Sequence, residues 1–287
     1  METIIDALDK ISKRILSRNV EYLIINSFRS DILKRCGLLG RNIQYSLSPE
    51  IHNEYYAENE IDLHYELFDI EEKHLEQFIN NLSEKDIIGF NVTIPYKEII
   101  IKYLDILEYP ADRINAVNTV LIKNNSLVGY NTDYFGFIKS LEDYNLNLEN
   151  KRALILGNGG AAKSVCCALK DLKCKGIDIA ARDIKRSGDY FKQFGNVTAI
   201  SNIKDLGSYN IIINCTPLGG INYLNESPIQ INHLEKECIV YDLVYNPRVT
   251  TFLKSAQKFG AVTINGEKML KYQAYKAVDI WLEYDNV

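Results

Sequence analysis

The feature that most constrains the fold is a glycine-rich turn between an apolar strand and a helix. Arg152 to Leu156 is a short apolar run that leads directly into Gly157-Asn158-Gly159-Gly160-Ala161-Ala162. Gly157 permits a tight turn, Gly159 lets the backbone approach a pyrophosphate, and Ala162 allows the helix to pack closely on the strand. The free N–H groups at the start of the helix would face the phosphates. The turn therefore predicts a dinucleotide-binding unit.

Further short apolar runs follow along the second half of the chain. Besides Arg152 to Leu156 they predict strands over Gly176 to Ala180, Val197 to Ile200, Asn210 to Asn214, Cys238 to Leu243 and Ala261 to Ile264. We expect helices in the gaps between them. Strands that alternate with helices are typical of a parallel sheet. The glycine turn is therefore interpreted as part of a six-stranded α/β unit rather than as an ordinary turn.

A second alternating pattern precedes this unit. It predicts strands over Cys36 to Leu39, Tyr65 to Phe68 and Ile87 to Val92, and helices over Pro49 to Asn59, Glu71 to Leu82 and Pro95 to Leu107. A hairpin is expected where Thr119 to Ile122 and Leu127 to Tyr130 flank the turn Lys123-Asn124-Asn125-Ser126. Helical spacing predicts a closing helix over Lys268 to Tyr284. The fold class is therefore α/β, and 287 residues suffice for two such domains.

Residues 1 to about 34 lack strand character. Apolar side chains such as Ile4, Leu8, Ile11 and Ile15 recur there at helical spacing. This pattern predicts one or two amphipathic helices that pack against the domain that follows. A partner-binding or regulatory helix is the alternative.

Charge and composition narrow the functional class. The chain has 33 Lys and Arg against 38 Asp and Glu, and its net charge of −5 argues against a nucleic-acid or anionic-membrane surface. No apolar run approaches the roughly 18 residues of a membrane span, and the N-terminus lacks a secretory h-region. The 6 cysteines form no C-x-x-C pair, so we expect reduced thiols, no metal site and a cytoplasmic location.

The end of the strand after the glycine turn bears on the choice between NAD and NADP. An acid there bonds a ribose 2′-hydroxyl, whereas arginine neutralises a 2′-phosphate. The strand ends in Ala181-Arg182-Asp183, and Arg186 follows. Arg182 and Arg186 favour NADP, while Asp183 favours NAD. A solvated charge cluster at a strand end is the structural alternative.

The first unit carries polar residues where packing alone would not place them. Strand alternation puts Asn91 and Thr93 on one side of a strand, and Pro95 suits the first turn of a helix that would include Lys97. The positive end of that helix and partial burial would lower the pKa of the lysine, so that it could exchange a proton near neutral pH. A solvated surface lysine is the alternative.

Further polar side chains fit the same kind of site. Asn118 is unfavourable inside a strand, whereas turn chemistry explains Asn131 and Asp133, and Ser48 is a good N-cap before Pro49. The remaining two are Ser46 and Gln273, the latter in the apolar stripe of the last helix. Together these residues indicate a site for a small polyhydroxylated molecule beside the dinucleotide.

The order of these motifs closely resembles that of the shikimate dehydrogenase family. The resemblance is carried by Gly40 to Asn53, Asn91 to Lys97, Ala116 to Thr119, Gly129 to Asp133, the glycine turn, Asn214 to Gly219, Tyr241 to Pro247 and Asn265 to Ala274. It covers Cys36 to about Trp281. A collinear set of this length favours one shared function over a separate structural explanation for each residue.

The resemblance implies an NADP-linked, reversible reduction of 3-dehydroshikimate to shikimate on the route to aromatic amino acids. It implies that Lys97 and Asp133 are the catalytic pair. The substrate would be held by Ser46, Ser48, Asn91, Thr93, Asn118, Tyr245 and Gln273. The cofactor side would be lined by Gly157, Asn158, Gly159, Gly160, Ala161, Arg182, Asp183, Arg186, Leu243 and Gly266.

The resemblance also implies a division of the chain. Residues 1–34 would be a helical extension, residues 35–135 with the C-terminal helix 265–287 a substrate-binding catalytic domain, and residues 136–264 an NADP-binding Rossmann domain. The two domains would form a cleft that closes on binding. We expect a small-molecule substrate, no nucleic-acid or membrane partner, and a homodimer as the candidate assembly.

Three departures from the family pattern stand out. Tyr45 replaces the histidine that often precedes the first serine, and Ala181 and Asp183 replace the usual asparagine and threonine around Arg182. The first 34 or so residues lie outside the match altogether. The change at Asp183 keeps an NAD-preferring quinate/shikimate dehydrogenase open as an alternative. A non-catalytic, metabolite-sensing dehydrogenase-like domain is a more remote one, because it could lose Lys97 or Asp133 and this chain has both.

Overall fold

The computed structural model describes residues 34–82 and 86–283. The predicted N-terminal helices therefore lie outside the described residues, apart from Lys34, which begins a strand, and so does the end of the C-terminal helix. Two six-stranded sheets form the framework, one in each half of the chain. The α/β fold class with two sheets is confirmed.

The first sheet is mixed. Its strands are β1 (Lys34–Gly40), β2 (Leu63–Asp69), β3 (Gly89–Val92), β4 (Ile106–Leu107), β5 (Thr119–Lys123) and β6 (Ser126–Tyr130), in the order β2-β1-β3-β5-β6-β4. Strand β1 pairs in parallel with β2 and β3, whereas β5 is antiparallel to β3 and β6. Its helices are α1 (Ser48–Glu58), α2 (Leu75–Asn80), α3 (Ala111–Ile114) and α4 (Thr132–Glu142).

The second sheet is parallel throughout. Its strands are β7 (Arg152–Leu156), β8 (Gly176–Ala181), β9 (Val197–Ala199), β10 (Ile211–Asn214), β11 (Ile239–Asp242) and β12 (Val262–Ile264). The order β12-β11-β10-β7-β8-β9 is that of a doubly wound dinucleotide-binding sheet. Helices α5 (Gly160–Asp171) and α6 (Thr251–Gln257) cover its two faces, and α7 (Glu267–Leu282) ends the described chain.

Helix α7 packs back onto the first sheet. Its Trp281 is fully buried, and the indole Nε1 donates a hydrogen bond to the Val120 carbonyl in β5 at 3.0 Å. Along its length the helix also packs on α4, where a Cβ at Gly136 would lie 2.7 Å from the Met269 carbonyl. Glycine at 136 therefore permits the close approach that brings Gln273 beside the start of α4.

The hairpin between β5 and β6 is tighter than expected. Lys123 pairs with Ser126, so the turn itself consists of Asn124 and Asn125. Both have positive φ angles, 50° and 64°, as a type I′ turn requires. Asparagine tolerates this conformation better than most residues, which explains why the sequence has two of them here.

The predicted helix over Pro95 to Leu107 is wrong. After β3 the chain forms a turn, then a 3₁₀-helix over Ile99–Tyr103, and then the short strand β4. Three consecutive isoleucines lose side-chain freedom in an α-helix, and Ile106 and Leu107 instead pair with β6.

The connections of the second sheet also differ from expectation. α-Helices fill the gaps from β7 to β8 and from β11 to β12, whereas the other gaps contain 3₁₀-helices: Lys185–Ser187, Tyr190–Gln193, Ile200–Asn202 and Ile221–Tyr223. Glycine and proline at positions such as 188, 195, 217 and 219 interrupt helical runs in these segments. The predicted helix Glu71 to Leu82 is likewise split into a 3₁₀-helix Glu72–His74 followed by α2.

Within residues 34–82 and 86–283, no helix is both long and apolar enough to cross a membrane. The same residues contain no cluster of His, Cys, Asp and Glu side chains with the makings of a metal site. The cysteines among them are all free thiols.

Candidate active site

A cleft of about 450 Å³ opens between the two sheets, at the loops that follow their strands. Loops from both halves of the chain line it, so neither sheet forms it alone. The predicted site residues that line it are Ser46, Ser48, Asn91, Thr93, Lys97, Asn118, Asp133, Ala161, Leu243, Tyr245, Gly266 and Gln273. Residues more than 200 positions apart in the sequence are thus brought to one cavity.

An ion pair lies in this cleft. Lys97 Nζ is 2.5 Å from Asp133 Oδ2, and the two side chains are only 16% and 9% exposed. Asp133 is in the first turn of α4, and not in a turn that ends the hairpin as its sequence context suggested. Lys97 is in the turn that precedes the 3₁₀-helix Ile99–Tyr103, so its expected place in the first turn of an α-helix is wrong. Its charge is therefore placed by Asp133 and not by a helix dipole of its own segment.

Asn118 orients the carboxylate. It precedes β5, is almost fully buried, and its Nδ2 lies 2.9 Å from Asp133 Oδ1, which leaves Oδ2 for Lys97. The same Nδ2 lies 2.9 Å from Thr132 Oγ1 and 3.3 Å from Gln273 Oε1. Asn118 Oδ1 in turn accepts a hydrogen bond from the Thr132 backbone N–H at 2.6 Å. One buried amide thus ties the hairpin, α4 and α7 to the Asp133 carboxylate.

Asn131, which the sequence associates with turn chemistry, is the N-cap of α4. Its Oδ1 accepts from the Tyr134 N–H at 3.1 Å, and its Nδ2 donates to the Ala116 carbonyl at 2.8 Å. Ser164 of α5 also donates to Asn131 Oδ1. The start of the helix that carries Asp133 is therefore fixed from both halves of the chain.

Asn91 has a partner that the sequence did not identify. The Tyr65 hydroxyl, from β2, donates to Asn91 Oδ1 at 2.7 Å, and Asn91 Nδ2 donates to Thr119 Oγ1 at 2.9 Å. Tyr65 is buried, and burial raises the pKa of its phenol well above the usual range. His52 stacks on the Tyr65 ring with centroids 3.9 Å apart. An aromatic residue in a predicted apolar strand carries no sign that its hydroxyl faces a polar neighbour.

The two serines sit at the start of α1. Ser48 was expected to cap this helix, but it is the first helical residue and Leu47 is the N-cap. Ser46 Oγ instead accepts a hydrogen bond from the Ser48 N–H at 3.2 Å and donates to Ser48 Oγ at 3.1 Å. Ser46 Oγ thus satisfies the N–H of the first helical residue, and both hydroxyls lie at the cleft.

Tyr245 approaches these serines from the other side of the cleft. It follows β11, and burial raises the pKa of its phenol, an effect that the Leu47 backbone amide and the Ser46 hydroxyl partly offset. Tyr245 and the two serines thus line the same cleft from different halves of the chain.

Asp242, at the end of β11, holds the loop that carries Tyr245 and Leu243. It is fully buried and accepts hydrogen bonds from Thr250 Oγ1 at 2.6 Å, Asn214 Nδ2 at 2.8 Å and the Val244 N–H at 3.0 Å. Burial raises the pKa of this carboxyl to about 6 despite these donors. The sequence signal was an aspartate ending a buried apolar strand, which we did not interpret as functional.

The glycine turn adopts the geometry that its sequence predicts. Gly157 has φ of +113°, and a Cβ there would lie 3.1 Å from Thr216 Cγ2. Gly159 is the N-cap of α5, and no described atom lies within 4 Å of the place a Cβ would take. The first N–H groups of α5 thus have no side-chain cap, and the space beside Gly159 is open. This arrangement fits the pyrophosphate of a dinucleotide.

The strand end that bears on cofactor choice is exposed. Arg182 and Asp183 both lie at the surface after β8, and Asp183 Oδ1 accepts from the Lys185 N–H at 3.0 Å. Asn158 Nδ2 donates to the Asp183 carbonyl and to Ser187 Oγ, each at 2.8 Å, which links this turn to the glycine turn. The side chain of Arg186 lies outside the described part of the structure.

Comparison with known proteins agrees with this geometry. Residues 38–120 match the shikimate dehydrogenase substrate binding domain, and residues 140–262 match the shikimate / quinate 5-dehydrogenase family. The shikimate dehydrogenase (NADP(+)) of Clostridium botulinum (strain 657 / Type Ba4) is 47% identical over 245 residues, which are 85% of this chain and 95% of that protein.

Solved structures give the same result. The crystal structure of shikimate dehydrogenase 1 from Peptoclostridium difficile superposes on this chain with a TM-score of 0.82 at 34% sequence identity. The superposition covers 87% of this chain and 92% of that chain. A shikimate dehydrogenase in complex with NADP+ gives a TM-score of 0.81 at 34% identity, with 88% and 91% of the two chains covered. The resemblance drawn from the sequence is confirmed, and the chain belongs to the shikimate dehydrogenase family.

Proposed function

We propose that this protein is an NADP-dependent shikimate dehydrogenase, which reversibly reduces 3-dehydroshikimate to shikimate on the route to aromatic amino acids. The observation that carries the proposal is the Lys97–Asp133 pair, held by Asn118 in a cleft that lies between polar loops and the glycine turn. The NADP(+)-linked relative from Clostridium botulinum supports it.

We assign the polar side chains of the first sheet to the substrate. Its carboxylate and hydroxyls would be bound by the residues Ser46, Ser48, Asn91, Thr93, Asn118, Tyr245 and Gln273. Hydroxyl and amide groups of this kind suit a small polyhydroxylated acid, because each can donate or accept a hydrogen bond. Tyr245 and the serines line one cleft from different halves of the chain, which supports binding between the two halves.

On the cofactor side, the N–H groups of α5 would bind the pyrophosphate, and Leu243 and Gly266 would border the nicotinamide. A Cβ at Gly266 would lie 2.1 Å from the Leu243 carbonyl, so only glycine allows these two segments to meet at the cleft. When bound, NADPH supplies the hydride that reduces the ketone. Arg182 would approach the 2′-phosphate.

The chain itself supplies the proton. As negative charge develops on the ketone oxygen, the Lys97 ammonium can stabilise it and donate a proton to it. Asp133 holds Lys97 Nζ at 2.5 Å and so fixes the direction of that transfer. In the oxidation of shikimate, neutral Lys97 accepts the hydroxyl proton by the reverse path. Water then restores the protonation state of Lys97 after each turnover.

The proposal is tested by assaying the purified protein with shikimate and quinate, each with NADP+ and NAD+. Formation of reduced nicotinamide is followed by absorbance. We expect the highest kcat/KM for shikimate with NADP+. Comparable oxidation of quinate with NAD+ would instead support the NAD-preferring quinate/shikimate dehydrogenase, which the exposed Asp183 beside Arg182 favours. No turnover in any combination would point to a metabolite-sensing domain without catalysis.

We further propose that residues 35–135 with 265–287 act as the substrate-binding domain and residues 136–264 as the NADP-binding domain. The position of α7 against β5 supports the return of the C-terminal helix to the first unit. A cytoplasmic location is inferred from the net charge and the free thiols.

A further inference from the structure

Lys163 is a charged residue of the cofactor helix that the proposed chemistry does not use. It lies one turn inside α5, and its side chain is only 7% exposed. Its Nζ donates to Glu98 Oε2 at 2.8 Å and to the Asn115 carbonyl at 3.3 Å. The ammonium also lies 4.8 Å from the centre of the Tyr190 ring. Lys163 thus spans the boundary between the two halves of the chain.

From sequence alone, a lysine in the first turns of a dinucleotide-binding helix would be assigned to the phosphates. The structure gives it a different partner, because its ammonium is held by a carboxylate and a carbonyl of the first half. The Lys163 ammonium therefore points to the segments around Glu98 and Asn115, beside the cleft. Its contacts indicate a function at these segments and not at the pyrophosphate.

The segment that Lys163 holds is that of the catalytic lysine. Glu98 directly follows Lys97, and the Lys97 carbonyl accepts a hydrogen bond from the Val117 N–H at 2.7 Å, two residues after Asn115. Both hydrogen-bond partners of Lys163, Glu98 and Asn115, therefore lie within two residues of the hydrogen bond between the Lys97 carbonyl and the Val117 N–H.

Direct packing of α5 on Lys97 gives an independent indication. A Cβ at Gly160 would lie 3.1 Å from Lys97 Cβ and 3.4 Å from both Lys97 Cδ and Ala116 Cβ. The first residue of the cofactor helix is thus in close contact with the catalytic lysine. Any shift of α5 relative to residues 97 and 98 changes the position of Lys97 in the cleft.

We propose that Lys163 is a positioning residue, which through Glu98 and Asn115 sets the distance between the cofactor helix and Lys97. This inference rests on the proposed function and deepens it. Hydride donor and proton donor sit on different halves of the chain, and both must meet one carbonyl group of the substrate. A fixed link between their supports keeps that geometry, and misplacement by about 1 Å lowers rates strongly.

The test compares Lys163→Met, Lys163→Arg, Glu98→Gln and the double variant Lys163→Met/Glu98→Gln with the wild type. Asp171→Asn is the matched control, because Asp171 lies at the far end of the same helix and pairs with Arg113 across the same boundary at 2.5 Å. For each protein, kcat and KM for shikimate and NADP+ are measured, together with the melting temperature. The primary isotope effect on kcat is measured with shikimate deuterated at the carbon that gives up the hydride.

We expect Lys163→Met and Glu98→Gln each to lower kcat by about tenfold to a hundredfold, with both KM values within about threefold of wild type. The isotope effect should rise because hydride transfer becomes slower relative to product release. The double variant should be no worse than Lys163→Met, since both changes remove one interaction. Lys163→Arg should recover most of kcat, and Asp171→Asn should lower only the melting temperature.

A purely structural role would give Lys163→Met the same kcat as Asp171→Asn, and that result would overturn the inference. So would a raised KM for NADP+ at unchanged kcat, which would show that Lys163 binds the phosphates. If the wild type turns over shikimate and the variants are equally active, the inference about Lys163 is wrong, whereas the proposed function still holds. A wild type without turnover would refute the proposed function and this inference with it.

Discussion

The two sides of the cleft hold their polar groups in opposite ways. On the substrate side, Lys97, Asn118 and Asp133 are buried or nearly so and bonded to one another. On the cofactor side, Arg182 and Asp183 lie at the surface, and the space beside Gly159 is open.

This difference separates catalysis from cofactor selectivity. Charges and amides held in a buried network are preorganised, so they do not reorganise when charge develops on the substrate. Exposed charges interact weakly and are screened by salt. Removal of a buried group should therefore abolish most of the activity, whereas a change at the exposed rim should only shift a preference. Four substitutions test this contrast.

The largest effect is expected for Lys97→Ala. The substitution removes the proposed proton donor and leaves the Asp133 carboxylate buried without its cation, so kcat should fall by about 10²- to 10⁴-fold. The KM for shikimate should change less, because Asn118, Gln273 and the serines remain. Steady-state kinetics in both directions measure the effect.

The control for that variant is Lys139→Ala, which removes an exposed lysine of α4 that pairs with Glu142 at 2.8 Å. It should leave kcat unchanged. If Lys97→Ala retained wild-type kcat, the assignment of Lys97 as acid and base would be wrong. The buried network on the substrate side would then not determine the rate of the reaction.

Asn118→Ala should have the next largest effect. It leaves Asp133 Oδ1 and the Thr132 N–H without their buried partner, at about 1–3 kcal/mol for each unsatisfied group. A loss of the same size in transition-state stabilisation lowers kcat/KM by about ten- to a hundredfold. The measurement is made well below the melting temperature of the variant. Unchanged kcat/KM would show that Lys97 alone orients Asp133.

We expect the burial of a polar group, and not the side of the cleft on which it lies, to decide how strongly its substitution affects the protein. Asp242 tests this expectation. It lies on the cofactor side but is fully buried among neutral donors, and its pKa is raised from 3.8 to about 6. The folded state therefore binds this proton more tightly than the unfolded chain does. Its stabilising contribution is present below about pH 4 and is lost as the pH rises through 6, by about 3 kcal/mol in total.

Asp242→Asn removes that titration. Its amide oxygen can still accept from Asn214 and Val244, and its amide nitrogen can donate to Thr250 Oγ1. The unfolding free energy of wild type minus that of the variant should therefore fall as the pH is raised from about 4 to 7. Urea unfolding at several pH values gives this difference. A constant difference would show that the Asp242 carboxyl is ionised across the whole range, so that burial does not raise its pKa.

The same contrast explains what the sequence could and could not predict. The glycine turn and the hairpin were recognisable because their residues are adjacent in the chain and each must adopt a special backbone conformation. The contacts of Tyr65 and Lys163 were not recognisable, since the partner of each is remote: Asn91 is 26 residues away from Tyr65, and Glu98 is 65 residues away from Lys163.

Local patterns failed in a second way at Lys97. Proline followed by apolar residues predicted a helix over Pro95 to Leu107, yet Ile106 and Leu107 gain more from pairing with β6 than from continuing a helix. The motif identified the lysine correctly as a cleft residue, but the reason for its position lies in Asp133 and in the chain around Val117.

The smallest effect is expected at the exposed rim. Asp183→Thr removes a negative charge beside Arg182, while the threonine hydroxyl can still accept from the Lys185 N–H as Asp183 Oδ1 does. The ratio of kcat/KM for NADP+ to that for NAD+ should rise by about fivefold, the equivalent of about 1 kcal/mol for an exposed charge pair. The rise should shrink as salt is added, because the charges are screened.

Asp189→Thr is the matched control, since Asp189 lies in the same connection after β8 and its side chain is 92% exposed. It should leave the cofactor ratio unchanged at every salt concentration. If Asp183→Thr also leaves the ratio unchanged, Asp183 points away from the ribose and Arg182 alone sets the preference. If the ratio instead changes a hundredfold and resists salt, the rim is desolvated when the cofactor binds, and the contrast between the two sides of the cleft holds only for the free protein.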